Sequence, residues 1–254
     1  MPRFAANLTF LFKEFPFLER FEAAAEAGFE GAEVLFPYDD AATAIVRSMR
    51  HAELPLVMMN APPPNWAGGE RGFAATPGGR ARFQKDLRRT MRYAERLKPQ
   101  HIHLMAGKAQ GAEARETYIR NLAWAAAEVP EQSFVIEPVN PAGTPGYFLD
   151  SFELAEEILA EIDAPNLGLL FDCYHAQLIC GDLMEAWRRF GKLARHVQVA
   201  SAPGRREPSE GGADFQSFFD LLDAEGYPGF VSAEYQPRGR TRPGLDWMIK
   251  GTAS

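Results

Sequence analysis

The stretch Phe134-Val135-Ile136-Glu137-Pro138-Val139-Asn140 decides the fold of this chain. It is a short, largely β-branched run that carries one acid and is then broken by a proline, which is typical of a buried strand that ends at Glu137. Similar apolar runs with one oxygen-bearing residue recur three times downstream. They are Leu169-Leu170-Phe171-Asp172, His196-Val197-Gln198-Val199 and Phe230-Val231-Ser232-Ala233-Glu234. Because an isolated buried acid is costly, these residues on successive strands predict a shared partner, and a divalent cation would satisfy them together.

The chain as a whole alternates strand-like and helical segments at a spacing of roughly 30 residues, which is the repeat of a barrel or a doubly wound sheet. The predicted upstream strands are 3–10, 31–36, 54–60 and 101–107, and the main predicted helices are 16–27, 38–51, 80–97, 112–128, 152–161 and 215–225. Asp39 or Asp40, Ser151 and Asp182 are predicted to cap helices. The chain lacks the glycine-rich first turn of a dinucleotide-binding sheet, so we predict an α/β fold, a single (β/α)8 TIM barrel over residues 1–254.

Composition narrows the class of protein. Of 254 residues, 46% are hydrophobic and 24% are charged, as in soluble globular proteins. No apolar run approaches the roughly 20 residues that cross a bilayer, and Met1-Pro2-Arg3-Phe4 lacks the features of a signal peptide, so we expect no membrane partner. Cys173 and Cys180 cannot build a disulfide or zinc framework, and reduced thiols suit a cytoplasmic enzyme. The net charge of -7 argues against nucleic acid, which needs a basic face.

Residues 61–79 form the one long irregular insertion, which is rich in proline and glycine. A compact domain seldom carries so long a loop unless the loop acts as a lid or a binding element. Because the loop follows a strand, it would lie on the catalytic face of a barrel, where Trp66 and Arg71 would meet the substrate on closure. A tolerated surface insertion is the alternative.

The four oxygen-bearing residues suggest a metal site. In a barrel the carboxyl ends of strands five to eight are neighbours, so these side chains can converge on one point. A set made only of oxygen donors, three of them carboxylates, prefers Mg²⁺ or Mn²⁺ to zinc. The predicted metal ligands are Glu137, Asp172, Gln198 and Glu234. Four ligands in an octahedral field leave two positions, which suits a substrate that chelates through two adjacent oxygens, such as an α-hydroxycarbonyl compound.

Two of these residues are also candidate proton carriers. Chelation would acidify the C–H beside the carbonyl, and proton movement would then need a base near each reacting carbon. Glu137 and Glu234 come from well-separated strands, so one is predicted to remove the proton and the other to return it. The chain has no Gly-x-Ser-x-Gly motif, and Cys173 has only His175 nearby to activate it, so covalent catalysis is disfavoured.

An acidic substrate would need a cation at this site, because three carboxylates and one dication sum to about -1. The candidates are Lys108, His175 and Arg205. Arg205, in the loop after strand seven, is the best placed for a bidentate clamp on a small hydroxy or oxo acid, with a solvated loop arginine as the equal alternative. His101 and His103 share one face of strand four and either line the site or are structural.

Several of these segments resemble the hydroxypyruvate isomerase family, one of the xylose-isomerase-like barrels. The resemblance covers essentially the whole chain and rests on Ile136-Glu137-Pro138-Val139-Asn140 with Pro145-Gly146-Tyr147-Phe148-Leu149, on Phe171-Asp172-Cys173-Tyr174-His175, on His196-Val197-Gln198-Val199-Ala200 and on Asn65-Trp66-Ala67-Gly68-Gly69-Glu70-Arg71-Gly72. It implies a divalent metal at Glu137, Asp172, Gln198 and Glu234, with the two glutamates as proton donor and acceptor. It also implies that His175 and Arg205 contact substrate oxygens.

The resemblance implies isomerisation of a small acid, either hydroxypyruvate or a 2-oxo-tetronate. Related ketose 3-epimerases carry a histidine on strand seven where Gln198 stands here, which disfavours the sugar epimerase alternative. Apurinic-site DNA endonucleases of the same superfamily use several zinc ions and many histidines, whereas this chain is acidic and has five histidines. A non-catalytic binding barrel is a further alternative. The sequence leaves open the physiological substrate, the metal used and whether the chain forms a homo-oligomer.

Overall fold

A computed structural model describes residues 1–61 and 72–248, in which eight parallel strands close into one barrel in chain order. The strands are β1 Arg3–Asn7, β2 Gly31–Glu33, β3 Leu56–Asn60, β4 His101–His103, β5 Ser133–Ile136, β6 Leu167–Asp172, β7 Ala194–Val199 and β8 Phe230–Ala233. The α-helices in these residues are α1 Arg20–Glu26, α2 Ala42–His51, α3 Arg80–Leu97, α4 Gly111–Glu128, α5 Phe152–Ile162, α6 Cys173–Cys180, α7 Leu183–Phe190 and α8 Phe215–Ala224. The predicted (β/α)8 barrel is confirmed.

Alternation along each strand separates the outer core from the barrel interior. Parallel pairing of β1 with β8 closes the sheet, and successive side chains of a strand point to opposite faces. In β5, Phe134 and Ile136 belong to the main apolar core, whereas Val135 belongs to a separate small cluster. Glu137, two residues after Val135 and one residue past the end of β5, points to the same side as Val135. Its carboxylate therefore faces the barrel interior.

The predicted helix caps are right in two places and wrong in one. The side chains of Ser151 and Asp182 accept hydrogen bonds from backbone N–H groups in the first turns of α5 and α7, at 3.3 and 2.9 Å. Neither Asp39 nor Asp40 caps α2, whose cap residue is Ala41 without a side-chain bond. Residues 37–39 instead form a 3-10 turn, which delays the start of the helix predicted at 38–51.

The start and the end of the described chain pack on each other. The Trp247 ring lies edge-on to Phe4 with the ring centroids 5.1 Å apart, and it also contacts Phe219 of α8. The tail therefore covers β1 and α8, while strand pairing closes the barrel. No helix among residues 1–61 and 72–248 is at once long enough and apolar enough to span a lipid bilayer.

Two glycines fasten the returning end of the 61–79 loop to the segment after β4. Gly72 pairs with Ala106, and a Cβ on Gly72 would collide with the carbonyl oxygen of Met105. Gly107 has φ +83°, and a Cβ there would collide with the carbonyl oxygen of Gly72. Only glycine permits both the positive φ and so close an approach. From Met105 onward the backbone bonds to this loop end, so β4 stops short of the predicted 101–107.

Gly107→Ala should lower the midpoint of thermal unfolding more than Gly111→Ala. Both glycines have φ +83°, so both variants carry the left-handed cost of about 1–2 kcal/mol. A Cβ at Gly111 meets no atom within 4 Å, whereas at Gly107 it meets backbone. We expect overpacking to add about 1–3 kcal/mol at Gly107, with each kcal/mol lowering the midpoint by about 2–4 °C. Equal midpoints in calorimetry would contradict the close contact.

Candidate active site

A ring of polar residues occupies the carboxyl ends of the strands. Each strand contributes one polar side chain within one residue of its carboxyl end, and all eight side chains are buried. We call this set the rim ring: Asn7, Glu33, Asn60, His103, Glu137, Asp172, Gln198 and Glu234. Since parallel strands end at the same edge of a barrel, the ring surrounds one point. The predicted metal ligands form the half of the ring that comes from β5 to β8.

An acidic group with one histidine lies in this half. Glu137, Asp172 and His175 each offer one ligand atom, and these atoms lie within 4.8 Å of one another. The Nε2 atom of His175 is 3.6 Å from Glu137 Oε1 and 3.6 Å from Asp172 Oδ2. On the other side of Glu137, His103 Nδ1 is 3.6 Å from Oε2. The sequence therefore predicted correctly that Glu137 and Asp172 come together, and His103 rather than His101 reaches them.

Arg205 joins the remaining glutamate to this group. Its Nη2 atom donates to Asp172 Oδ2 at 3.0 Å and to Glu234 Oε2 at 2.5 Å. The backbone of Arg205 is left-handed, with φ +50°, and its carbonyl oxygen accepts the N–H of Gln236 at 2.9 Å. That conformation is uncommon outside glycine, and here it turns the guanidinium towards the rim ring. Of the two arginines in this loop, Arg205 and Arg206, it is Arg206 that is exposed.

Asn140 fixes the tautomer of His175. The backbone N–H of Asn140 donates to His175 Nδ1 at 3.0 Å, and Asn140 Nδ2 lies 2.9 Å from the same atom. A ring nitrogen that accepts hydrogen bonds carries no proton, so the proton of the neutral ring is on Nε2. The His175 side chain thus presents an N–H donor to the centre of the site.

Burial dominates the electrostatics of the two acids that Arg205 joins. It raises the pKa of Glu234 to about 8, although the adjacent Arg205 guanidinium acts in the opposite direction. Burial also raises the pKa of Asp172, again opposed by Arg205 and by the backbone N–H of Tyr174, which donates to the Asp172 carboxylate at the start of α6. A divalent cation among these carboxylates would favour their ionised forms, because opposite charge at short range offsets desolvation.

Gln198 gives the best test of whether the residues fit a metal. Its Nε2 atom donates to Glu33 at 2.5 Å, whereas its Oε1 atom is buried with no hydrogen-bond partner in the described part of the chain. A buried acceptor without a partner is costly, and a cation bound by the neighbouring carboxylates would satisfy it. The donor set is therefore three carboxylates and one amide oxygen, which fits a hard divalent ion.

The other predicted site residues lie away from the rim ring or outside the described residues. Lys108 is exposed just past β4, where its backbone pairs with Tyr147, and a substrate contact by its side chain stays a prediction. Trp66, Arg71 and most of the predicted lid fall outside the described residues. Burial raises the pKa of the Cys173 thiol well above its usual range, which agrees with the expectation that this cysteine is no nucleophile.

The sequence analysis missed the three ring residues that come from β1 to β3. Asn7, Glu33 and Asn60 were not proposed as site residues, and Glu33 is the most consequential because it is a fully buried acid. Asn60 ends the predicted strand 54–60, but Asn7 and Glu33 lie inside the predicted strands 3–10 and 31–36, so the signal for these two was only a polar residue within a strand-like segment. β2 has only three residues, so no long apolar run marks Glu33.

Comparison with known proteins places the chain among relatives of nearly equal length. Residues 21–251 match the family described as xylose isomerase-like TIM barrel. A 2-oxo-tetronate isomerase of Cupriavidus necator is 41% identical over 254 residues, which cover 98% of each protein. The hydroxypyruvate isomerase of Escherichia coli is 34% identical over 254 residues, with the same coverage of 98% on both sides. A crystal structure of a Brucella melitensis protein named AP endonuclease, family 2, has a TM-score of 0.94 at 41% identity, again covering 98% of both chains.

The chain therefore belongs to the xylose isomerase-like TIM barrels. Within them it is a member of the family of hydroxypyruvate and 2-oxo-tetronate isomerases, which confirms the resemblance stated from the sequence. It is an enzyme of the isomerase class.

Proposed function

We propose that this protein isomerises a small 2-oxo or hydroxy acid, converting hydroxypyruvate to tartronate semialdehyde or isomerising a 2-oxo-tetronate. The observation that carries the proposal is the cluster of buried carboxylates at Glu137, Asp172 and Glu234 beside the unpartnered Oε1 of Gln198. The names of the relatives from Cupriavidus necator and Escherichia coli support the same substrate class.

Glu137, Asp172, Gln198 and Glu234 are the residues that would hold the metal, with Mg²⁺ or Mn²⁺ as the ion that their oxygen atoms suit best. When bound, the metal supplies Lewis acidity, which polarises the substrate carbonyl and acidifies the neighbouring C–H. His175 adds a second source of polarisation, because its Nε2–H points to the same centre as the carboxylates.

Glu137 and Glu234 are the proposed proton carriers. For hydroxypyruvate, one carboxylate removes a proton from C3 to give an enediolate, and the other delivers a proton to C2, while the hydroxyl proton moves from the oxygen on C3 to the oxygen on C2. The two residues follow β5 and begin the segment after β8, so they approach the substrate from different parts of the ring. For Glu234, burial suits this role, because a carboxyl group whose pKa is raised to about 8 can both hold and release a proton near neutral pH.

A substrate panel tests this proposal. Hydroxypyruvate, 2-oxo-tetronates and ketohexoses are assayed with Mg²⁺ and with Mn²⁺, and we expect turnover of at least one of the acids to exceed that of any ketose. A ketose as the best substrate would favour a sugar epimerase, whose strand-seven histidine this chain replaces with Gln198.

The name of the Brucella protein raises the alternative of an endonuclease at abasic DNA sites. The group of described His, Asp and Glu residues close enough to hold a metal contains one histidine and two acids, which is poor in the nitrogen ligands that zinc prefers. Metal content decides between the alternatives. One Mg or Mn per chain supports the isomerase, several zinc ions support the nuclease, and absence of metal from a fully active or DNA-cleaving preparation would contradict both assignments.

Arg205→Ala should lower kcat/KM on the acidic substrate by roughly 30- to 1,000-fold, because a charge-assisted contact contributes about 2 to 4 kcal/mol. Among the described residues the guanidinium of Arg205 bonds through Nε and Nη2, so its Nη1 donors are available to a substrate carboxylate. Turnover of an uncharged ketose should fall less. The measurement is kcat/KM for both substrates.

Arg206→Ala is the matched control, since the side chain of this exposed arginine bonds only to the carbonyl oxygens of Gln236 and Pro237 among the described residues. It should leave kcat/KM on the acid within about twofold, as surface substitutions usually do. Equal losses by Arg205→Ala on acid and ketose would show that the carboxylate clamp lies elsewhere, with Lys108 and Arg71 as the next candidates.

A further inference from the structure

We infer that Glu33 is a positioning residue that holds the side chain of Gln198 with its oxygen towards the metal. This inference rests on the proposed function, since it takes Gln198 as a metal ligand. Glu33 lies on β2, whereas Gln198 lies on β7, and these strands are not neighbours in the sheet. The contact between the two residues therefore crosses the barrel interior.

The Glu33 carboxylate is fully buried and is surrounded by nitrogen donors. Its Oε1 atom accepts from Asn7 Nδ2 at 2.6 Å and from Gln198 Nε2 at 2.5 Å, and its Oε2 atom lies 2.7 Å from His196 Nε2. A buried carboxylate of this kind is tolerable only when such donors surround it. The carboxylate is thus held from two sides while it contacts the Gln198 amide.

This contact determines which atom Gln198 presents to the rim ring. A carboxylate only accepts hydrogen bonds, so the amide atom 2.5 Å from Glu33 must be the NH₂ group. A flip of the amide would place Oε1 against the negatively charged oxygens of Glu33. The NH₂ group is therefore fixed towards Glu33, and Oε1 points away from it as the buried acceptor without a partner described above.

The same contact should also make Gln198 a better ligand. A carboxylate behind a metal-binding side chain orients it and increases the electron density on its donor atom, as carboxylates do behind histidine ligands. An amide oxygen is neutral and binds a hard cation more weakly than a carboxylate does. Glu33 places a negative charge directly behind the Gln198 ligand. It does so without adding another carboxylate to the metal site itself.

Glu33→Asp is the sharpest test, because it keeps the charge but withdraws the carboxylate by one methylene from Gln198. Metal is removed from the purified protein, and Mn²⁺ binding is titrated by the electron paramagnetic resonance signal of free Mn²⁺. We expect the Kd for Mn²⁺ to rise by about 10- to 100-fold, the usual effect of removing an outer partner of a metal ligand. A loss of long-range charge cannot produce this result, since the charge remains.

The exchange of both residues gives a second test. Glu33→Gln alone should also weaken Mn²⁺ binding by about 10- to 100-fold. In the double variant Glu33→Gln with Gln198→Glu, the amide at 33 can donate to the carboxylate at 198, and the net charge of the pair is that of the natural protein. Because a carboxylate at 198 strengthens metal binding by itself, the double variant is compared with Gln198→Glu alone. We expect Glu33→Gln to weaken Mn²⁺ binding much less in the Gln198→Glu background than in the natural protein, whereas a merely structural role of Glu33 would give equal losses in both.

Ser232→Ala is the control for disturbing a buried polar position. Ser232 is fully buried and stands opposite Gln198 in the pairing of β7 with β8, and it makes no hydrogen bond to Glu33 in the described residues. Its Mn²⁺ affinity should match that of the natural protein. Thermal unfolding of every variant tests whether the fold is retained. If Glu33→Gln does not fold, Glu33→Asp decides alone.

The outcomes separate the inference from the proposed function. If the natural protein binds Mn²⁺ and Glu33→Asp binds it equally well, Glu33 does not position the ligand, and the metal site itself stands. If the natural protein binds neither Mn²⁺ nor Mg²⁺, the proposed metal site fails and the inference fails with it. Weaker binding by Glu33→Asp, together with a smaller effect of Glu33→Gln in the Gln198→Glu background than in the natural protein, supports both.

Discussion

Removal of divalent metal with EDTA should reduce turnover of the acid substrate to background, and Mg²⁺ or Mn²⁺ should restore it better than Zn²⁺. The proposed ligands are three carboxylates and the amide oxygen of Gln198, and such oxygen donors favour hard ions. Turnover and bound metal are measured on the same samples, before chelation, after dialysis and after each metal is added.

A control is needed because metal removal can unfold a protein. Arg205 bridges Asp172 and Glu234, and its positive charge offsets their burial without a cation, so we expect circular dichroism of the chelated protein to retain the native spectrum. Full turnover by protein that contains no metal would sink the metal-assisted mechanism.

Glu137→Gln and Glu234→Gln should each lower kcat by roughly 10²- to 10⁴-fold, the usual contribution of general acid and base catalysis. Glutamine keeps the shape and one ligating oxygen of each residue but cannot exchange a proton. Each variant should therefore still bind Mn²⁺, with lower affinity because one negative charge is lost. The measurements are kcat at saturating substrate and metal, and Mn²⁺ binding by titration.

Glu207→Gln is a matched control, since Glu207 is a buried glutamate beyond β7 that accepts the backbone N–H of Arg238 instead of facing the acidic group. It should keep kcat within about twofold. A Glu137 or Glu234 variant with nearly normal turnover would remove that residue from the proposed proton transfer.

The ring residues of β5 to β8 could be predicted because these strands appear in the sequence as distinct apolar runs that contain one oxygen-bearing residue. In β6 the run Leu169-Leu170-Phe171 ends on Asp172, and a buried acid after three apolar residues has few explanations. The ring residues of β1 to β3 could not be predicted in the same way. The apolar part of β2 before Glu33 is only Gly31 and Ala32, too short a run for period-two alternation to be recognised.

Contacts across the barrel were also beyond the sequence. Glu33 and Gln198 are separated by 165 positions, and no local pattern links them. Helix α6 escaped prediction for a different reason. Asp172 ends β6 and at the same time caps α6 by accepting the N–H of Tyr174 at 2.8 Å, so a single residue serves both elements and no loop separates them.

The alternation of side chains along the strands separates the residues that pack the core from those that form the site. This separation bears on how such enzymes diversify. Outward residues such as Phe134 and Phe171 belong to the main apolar core, where the Phe171 ring lies 5.3 Å from that of Phe152 in α5, whereas no residue of the rim ring belongs to that core. A substitution at a ring position, for example at Gln198, can therefore change the ligand set without repacking the layer that keeps the protein folded. Glu33 limits that freedom, because a new residue at 198 must also suit the carboxylate that faces it across the barrel.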